Sequence, residues 1–222
     1  MKRSSSPIFW PIKRKAGKYV VRTKPGPHNM ENSMPLAILL RDELGYATNI
    51  KEVKEILNQG IIKVNGIGRK TYNFPIGLMD VISIGNENYR VLLSRKSLKL
   101  LKITDGMQFT KIVGKKVLGK NRFQLNLHNG TNIEVSKDEY KTGDVIVIEK
   151  NKIVLLIPFK KGATCLISGG RNQGKTGKII EVIPMPGSQP DNVYIETNKV
   201  KIRIPKNYVF VINEKYFAGV SE

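Results

Sequence analysis

The sequence predicts an α+β protein, mostly β, whose helices are confined to one stretch near the N-terminus. Three observations carry this reading. Apolar residues recur at helical spacing from Leu36 to Leu57, between a proline and a glycine stop. From Ile61 onward, short β-branched or alternating runs are parted by Asn-Gly and similar turn pairs. Hydrophobic content of 40% is enough to bury cores, although 38 Lys+Arg against 18 Asp+Glu give the 222 residues a net charge of +20. That charge is spread unevenly, +7 over residues 1–33, +1 over 34–85, +8 over 86–160 and +4 over 161–222, and these spans mark the expected domain boundaries.

Residues 1–33 form a basic N-terminal extension with no helical or strand periodicity. Pro7, Pro11, Pro25 and Pro27 interrupt it, so it is expected to be disordered or extended when free. Phe9, Trp10 and Tyr19 lie among Lys13, Arg14, Lys15 and Lys18. Basic residues interleaved with aromatics can neutralise phosphates and stack on unpaired bases. The plainer alternative is a solvated basic tail whose aromatics pack on the body.

The next span, 34–85, opens with Pro35 where a first helical turn tolerates it, and Leu36, Leu39, Leu40 and Leu44 follow at helical spacing up to Gly45. Asn49 with Glu52 is a capping-box variant that starts a second helix, with Val53, Ile56 and Leu57 on its buried face and Gly60 as its stop. Ile61-Ile62-Lys63-Val64 then reads as a strand turned by Asn65-Gly66, a strong hairpin signal. On the second helix Lys51, Lys54 and Asn58 share one stripe while Glu52 and Glu55 share another. The stripe can present a basic face, and it reads equally well as ordinary mixed surface charge.

From Pro75 to Pro158 the pattern is of short strands. Val81–Ile84 and Tyr89–Leu93 flank a turn, and Phe123, Leu125 and Leu127 alternate with polar residues before Asn129-Gly130 turns into Ile133 and Val135. Asp144–Glu149 and Lys152–Ile157 flank a further turn at Lys150-Asn151. Residues 86–160 are therefore expected to form a central basic β-domain. Lys111, Lys115, Lys116, Lys120 and Arg122 are its candidate phosphate contacts.

Residues 169–176, Gly-Gly-Arg-Asn-Gln-Gly-Lys-Thr, fit the phosphate-loop pattern and follow a strand at Thr164–Ile167. Such a loop works because a helix follows it and points free N–H groups at the phosphates. Here Gly177-Lys178-Ile179-Ile180-Glu181-Val182-Ile183-Pro184 follows, a β-branched run closed by proline, which predicts a strand. No nucleotide is expected at Gly169 to Thr176. The run Ile167 to Val182 instead resembles the KOW motif, two strands joined by a loop punctuated by Gly170, Gly174 and Gly177. The resemblance implies a C-terminal SH3-like KOW barrel whose loop, carrying Arg171, Lys175 and Lys178, meets RNA or protein.

Residues 34–66 in turn resemble the two-helix RNA-binding module named after bacterial ribosomal protein S-four. Leu40-Arg41-Asp42-Glu43-Leu44, Gly60 and Val64-Asn65-Gly66 carry the likeness. In that module RNA meets the first helix and the start of the second, which here means Arg41 and the Thr48–Lys54 region. The module often has Ser-Arg where this chain has Asn49-Ile50, which leaves Lys51 and Lys54 to supply the charge. Arg69 and Lys70, beyond the turn, complete the candidates in this span.

Taken in order, a basic tail, an S-four-type module, a central β-domain and a KOW module resemble the layout of the archaeal and eukaryotic small-subunit ribosomal protein family S-four-e. Gly26-Pro27-His28, Pro75-x-Gly77-x-Met79-Asp80-Val81-Ile82-Ser83-Ile84 and Ser168-Gly169-Gly170 extend the likeness over most of residues 26–212. The resemblance implies a structural role, with small-subunit rRNA and neighbouring ribosomal proteins as partners in the cytoplasmic ribosome. The short end after Phe210 points to an archaeal source.

Charge and composition narrow the classes independently. A net charge of +20 on 25.0 kDa is best offset by a polyanion, and nucleic acid rewards each cation through counterion release. No apolar run suits a signal peptide or a membrane span, so no membrane partner is expected. Cys165 is the single cysteine, which forbids an internal disulfide, and with His28 and His128 it makes no metal spacing. Cys165 is expected to fill a buried strand position. An enzyme guided by an S-four-type module would need a catalytic domain, for which no residues are left, so neither catalysis nor a cofactor is expected. The remaining rival is a KOW-bearing transcription or translation factor that binds RNA transiently.

Overall fold

The computed structural model describes residues 1–93, 98–104, 106–119, 121–149, 152–197 and 200–213. The chain divides into two compact units, Met1–Gln108 and Phe109–Glu222.

In the first unit, strand β1 (Met34–Pro35) leads into helix α1 (Leu36–Ile38), which widens into π-type turns over Leu39–Glu43. Leu44 N–H donates to the Leu39 carbonyl at 2.9 Å. Pro35 stands in extended conformation just ahead of the helix (ψ 139°), so the first N–H groups look elsewhere for partners. Leu36 N–H donates to Phe74 O at 3.0 Å and Ala37 N–H to Tyr72 O at 2.8 Å. Leu36, Leu39 and Leu40 are fully buried, as their spacing predicts, and so are Ala37 and Ile38, whereas Leu44 is only half-buried. Helix α2 (Ile50–Asn58) buries Val53 and Leu57, while Ile56 is only half-buried.

After α2 come β2 (Ile62–Val64), β3 (Ile67–Gly68), β4 (Pro75–Ile76), β5 (Val81–Ile84), β6 (Glu87–Leu93) and β7 (Leu98–Ile103). Among the described residues β1 pairs with β4, and an antiparallel sheet runs in the order β3-β2-β5-β6-β7. Asn65 and Gly66 both take positive φ (52° and 79°), the backbone that a tight hairpin turn requires. The expected boundary between residues 85 and 86 falls inside the β5–β6 turn. The hydrogen-bonded register Ile84↔Glu87 to Val81↔Arg90 keeps both strands in one sheet, and the unit continues to Gln108.

The N-terminal extension differs from expectation: it is folded onto the first unit. Its ends meet where the Met1 ammonium donates to Val20 O (3.0 Å) and Arg3 N–H to Lys18 O (3.1 Å). Phe9 and Trp10 are 5% and 4% exposed, and the Trp10 indole N–H donates to Ser33 O at 2.9 Å. Arg14 and Arg3 donate to backbone carbonyls within the loop, at 2.9 Å to Ser6 O and 2.8 Å to Lys13 O. Aromatic burial and guanidinium bonds to the main chain replace the regular ladder that periodicity would have revealed. Phe9 and Trp10 are therefore core residues and cannot stack on bases, whereas Tyr19 is exposed.

In the second unit, which starts one residue into β8 (Gln108–Gly119), there follow β9 (Arg122–Leu127), β10 (Asn132–Val135), β11 (Val145–Glu149) and β12 (Lys152–Ile157). They form a sheet in the order β10-β9-β8-β11-β12. Ile112, Leu125, Leu127, Ile146 and Ile148 make its core, flanked by Ile133, Tyr140 and Leu156. Lys120 and the turn at Lys150-Asn151 lie outside the described residues.

The chain then builds β13 (Thr164–Ile167), β14 (Thr176–Ile183), β15 (Asn192–Thr197), β16 (Val200–Pro205) and β17 (Val209–Val211), ordered β16-β15-β14-β13-β17. Cys165 is buried in β13, its thiol donating to Gly177 O at 3.3 Å, and burial pushes its pKa up to about 12. Strand β14 begins at Thr176 itself, so no helix stands behind the glycine loop. Gly170 and Gly174 take positive φ (81° and 87°). Gly177 is needed for another reason, since a Cβ there would stand 2.5 Å from Glu196 O on the neighbouring strand.

Lys111 and His128 tie the two sheets of this unit together. The Lys111 ammonium donates to the carbonyls of Lys206 (3.1 Å), Asn207 (3.0 Å) and Val209 (2.8 Å). His128 Nδ1 accepts from Lys111 N–H at 3.1 Å, and its ring meets Phe210 edge-on at 5.4 Å. Burial, with Lys206 adding to it, pushes the Lys111 pKa down to about 8. Lys111 thus leaves the expected basic surface and becomes an internal strut.

Candidate nucleic-acid interface

The second helix starts where Asn49 caps it, its Oδ1 accepting from Lys51 N–H (2.9 Å) and Glu52 N–H (3.0 Å). Glu52 reaches back one residue further than in the usual capping box, accepting from Thr48 N–H at 2.7 Å and from the Thr48 hydroxyl. These bonds hold the Glu52 carboxyl below its ordinary range. The first turn is thus occupied by an internal carboxylate. Lys51 and Lys54 stay exposed on the outer face, with Lys54 over the Tyr72 ring at 5.0 Å.

Segment 69–74 brings further candidates beside this helix. Arg69 lies over the Phe74 ring at 4.5 Å, with its Nε buried and without a hydrogen-bond partner, and Lys70 is exposed. Arg41 is half-buried and forms a two-pronged pair with Asp42 at 3.0 and 2.6 Å. In the extension Lys13, Lys15 and Lys18 are exposed, Lys18 lying 5.5 Å from the Tyr19 ring centre, whereas the Arg14 guanidinium is spent on main-chain carbonyls. So the second helix meets segment 69–74 where Lys54 lies over Tyr72, and Arg14 and Arg41 are already engaged.

The connecting residues around this region meet at one carboxylate. Asp80 is buried, accepting from Asn65 Nδ2 (2.8 Å) and Gly77 N–H (2.8 Å), and lies 3.0 Å from His28 Nε2. Gly77 leaves room for the imidazole, since a Cβ there would come within 2.5 Å of the His28 ring. Burial raises the Asp80 pKa, but the His28 charge and the hydrogen bonds outweigh it and hold the carboxyl below its ordinary value. For His28, burial lowers the pKa while Asp80 raises it more, leaving a net rise.

In the second unit, Lys115 is turned inward. Its ammonium pairs with Asp138, donates to Tyr140 O at 3.1 Å and sits 4.7 Å from the Phe123 ring centre. Arg122 pairs with Glu134 at 2.8 Å, both side chains exposed. Lys116 is exposed. Arg171, Lys175 and Lys178 are exposed on and after the glycine loop, with Lys175 donating to Asn172 Oδ1 at 3.1 Å and Lys178 opposite Glu196 in the ladder. Exposed ion pairs are worth only about 0–1 kcal/mol, so Arg122 can exchange its carboxylate for a phosphate at small cost. Lys115 has three contacts to give up.

Sequence reasoning missed Lys141 and Lys206, which tertiary packing places near Lys115 although residues 141 and 206 are far apart in the chain. No local signal marks such a convergence. Among the described residues, no group of three or more His, Cys, Asp or Glu could hold a metal, and no helix is long and apolar enough to cross a membrane.

Three family models match the chain: the RS4NT (NUC023) domain over residues 1–31, the S4 domain over 34–82 and ribosomal family S4e over 85–153. Small ribosomal subunit protein eS4 of Methanothermobacter thermautotrophicus is 42% identical over 223 residues, covering 96% of this chain and 92% of the relative. The chain belongs to ribosomal family S4e. Small ribosomal subunit protein eS4 of Methanocaldococcus jannaschii is 40% identical, with 97% and 94% of the two chains covered. The crystal structure of 30S ribosomal protein S4e from Thermoplasma acidophilum shares the fold, with a TM-score of 0.68 and 30% identity over 82% of this chain and 95% of that one. The S4e likeness thus spans both units, and the N-terminal extension that the structure finds folded coincides with a domain model of its own.

Proposed function

We propose that this chain is a structural, non-catalytic protein of the small ribosomal subunit, where it binds small-subunit rRNA and contacts neighbouring ribosomal proteins. The observation that carries this is near-full-length identity of about 40% to proteins named as small ribosomal subunit protein eS4. A net charge of +20 and the exposed lysines of both units support a polyanionic partner. Within this reading, residues 34–85 act as the S-four-type module, with Arg41, Lys51, Lys54, Arg69 and Lys70 toward RNA. Residues 86–160 act as the central β-domain with Lys115, Lys116 and Arg122, and residues 161–222 as the SH3-like KOW barrel with Arg171, Lys175 and Lys178. Lys13, Arg14, Lys15 and Lys18 serve the extension. The strand that follows Thr176 supports reading residues 169–176 as a glycine loop that takes no nucleotide.

Sucrose-gradient sedimentation of source-cell lysate, with a high-salt wash, tests this. Retention near one copy per small subunit is expected. Release by the wash, or sedimentation at the top of the gradient, would replace an integral subunit by a transient factor.

A further inference from the structure

The second unit holds a hollow that neither the helices nor the glycine loop accounts for. It has a volume of about 440 Å³ and is lined by Lys115, Tyr140, Lys141, Thr142, Phe159 and Lys206. Three lysines line it, of which Lys115 is already paired with Asp138, and its one lining carboxylate is Asp144. That carboxylate is fully engaged at its two oxygens, accepting from Lys141 N–H at 2.9 Å and from Phe159 N–H at 2.7 Å. The same two bonds fix the Lys141 turn relative to Phe159. Lys206 reaches over the Phe159 ring at 5.4 Å and shares its charge with Asp191 at 3.5 Å, while Lys141 is exposed. Gly143 sits close behind, where a Cβ would stand 3.1 Å from Lys206 Cε and 3.6 Å from Phe159 Cγ, so a side chain there would press on Lys206 and touch the ring.

Ligand cavities run from roughly 300 to 1,000 Å³, which puts this one at the scale of a single nucleotide. Lysine ammoniums suit a phosphate as point charges, and aromatic walls suit an unstacked base. A base held in a duplex could not enter. The geometry points to a binding site for one unpaired nucleotide of RNA, its phosphate on Lys141 and Lys206 and its base against Phe159 and Tyr140. This rests on the RNA-binding reading above and adds to it a preference for single-stranded or bulged RNA at the second unit.

Fluorescence anisotropy on the full chain, with a labelled short poly-uridine strand and with a blunt RNA duplex, tests it. Phe159→Leu is expected to weaken strand binding about tenfold and Lys141→Gln about threefold, with duplex binding held within about twofold. Equal weakening of both probes would reduce these residues to general surface charge, and no weakening would remove the site; either overturns the proposal. Lys141→Gln, at an exposed position, decides the matter if circular dichroism shows Phe159→Leu to be unfolded. If the unaltered chain binds neither probe, the RNA-binding reading itself fails, which is a different result from a strand-binding chain indifferent to both substitutions.

Discussion

His28 Nε2 lies 3.0 Å from Asp80 Oδ2 across 52 residues of chain, joining the segment that precedes the first helix to the residue just before β5. The side chains are 8% and 2% exposed, so this pair is screened little by solvent. Removing one partner of a buried pair strands the other, at a cost of about 3–5 kcal/mol. Asp80→Ala also takes away the acceptor for Asn65 and Gly77. It is expected to destabilise the first unit by that much, measured by urea unfolding.

The pair also sets a pH window. The His28 pKa is raised above 6.5, so its contribution is full below 6.5 and is lost as pH climbs through the raised value. The Asp80 pKa is lowered below 3.8, so its contribution is full above 3.8 and is lost as pH falls through the lowered value. Unfolding of the first unit should therefore need less urea as pH rises above about 6.5. His28→Gln should flatten that limb; an unchanged slope would show that the imidazole does not titrate with folding.

Lys111 and Lys116 should separate structure from binding. Lys111→Met leaves the three carbonyls of the Lys206 turn without their shared donor, and a cost of about 1–3 kcal/mol to the second unit is expected, with little change in RNA affinity. Lys116→Met, on an exposed side chain, should leave stability within about 0.5 kcal/mol and lower RNA affinity. Thermal unfolding and salt-dependent RNA titrations on the same two variants read both outcomes.

In the glycine loop and the strand that follows it, the two reasons for glycine predict different penalties. Gly177→Ala drives a Cβ into a backbone carbonyl at 2.5 Å, and overpacking of that kind costs about 1–3 kcal/mol. Gly170→Ala meets no atom within 4 Å and carries only the strain of positive φ, about 1 kcal/mol. Chemical denaturation of the pair should rank them in that order.

For the extension, Trp10→Ala should cost about 3–5 kcal/mol, because the indole is buried and hydrogen-bonded. Changing Lys13, Lys15 and Lys18 together to Gln should leave stability nearly unaltered and lower the salt slope of RNA binding by about 2–3. A triple variant with an unaltered slope would exclude these lysines from the interface.

What could be read from the sequence followed local chemistry. The Asn49 cap, the Asn65-Gly66 turn, the helix stops at Gly45 and Gly60, the burial of Cys165 and the strand after Thr176 each depend on a few neighbouring residues, and each is found. The fold of the extension could not be read, because Trp10 finds its partner at Ser33 and Arg3 at Lys13 with no repeating pattern. Charge state in context was equally hidden. Arg122 meets Glu134 and Lys115 meets Asp138 only after the strands are paired, and the lysines around Phe159 converge from separate segments.

The folded extension has a consequence for assembly. A tail that is ordered only by its partner brings its loss of chain entropy to the encounter, and the complex bears that loss. Here Phe9, Trp10 and Val20 are already buried in the free protein, so that cost is met during folding. Docking onto RNA then resembles the meeting of two finished surfaces. Its speed is governed by electrostatic steering and orientation, and its heat-capacity change should be small for so charged a protein.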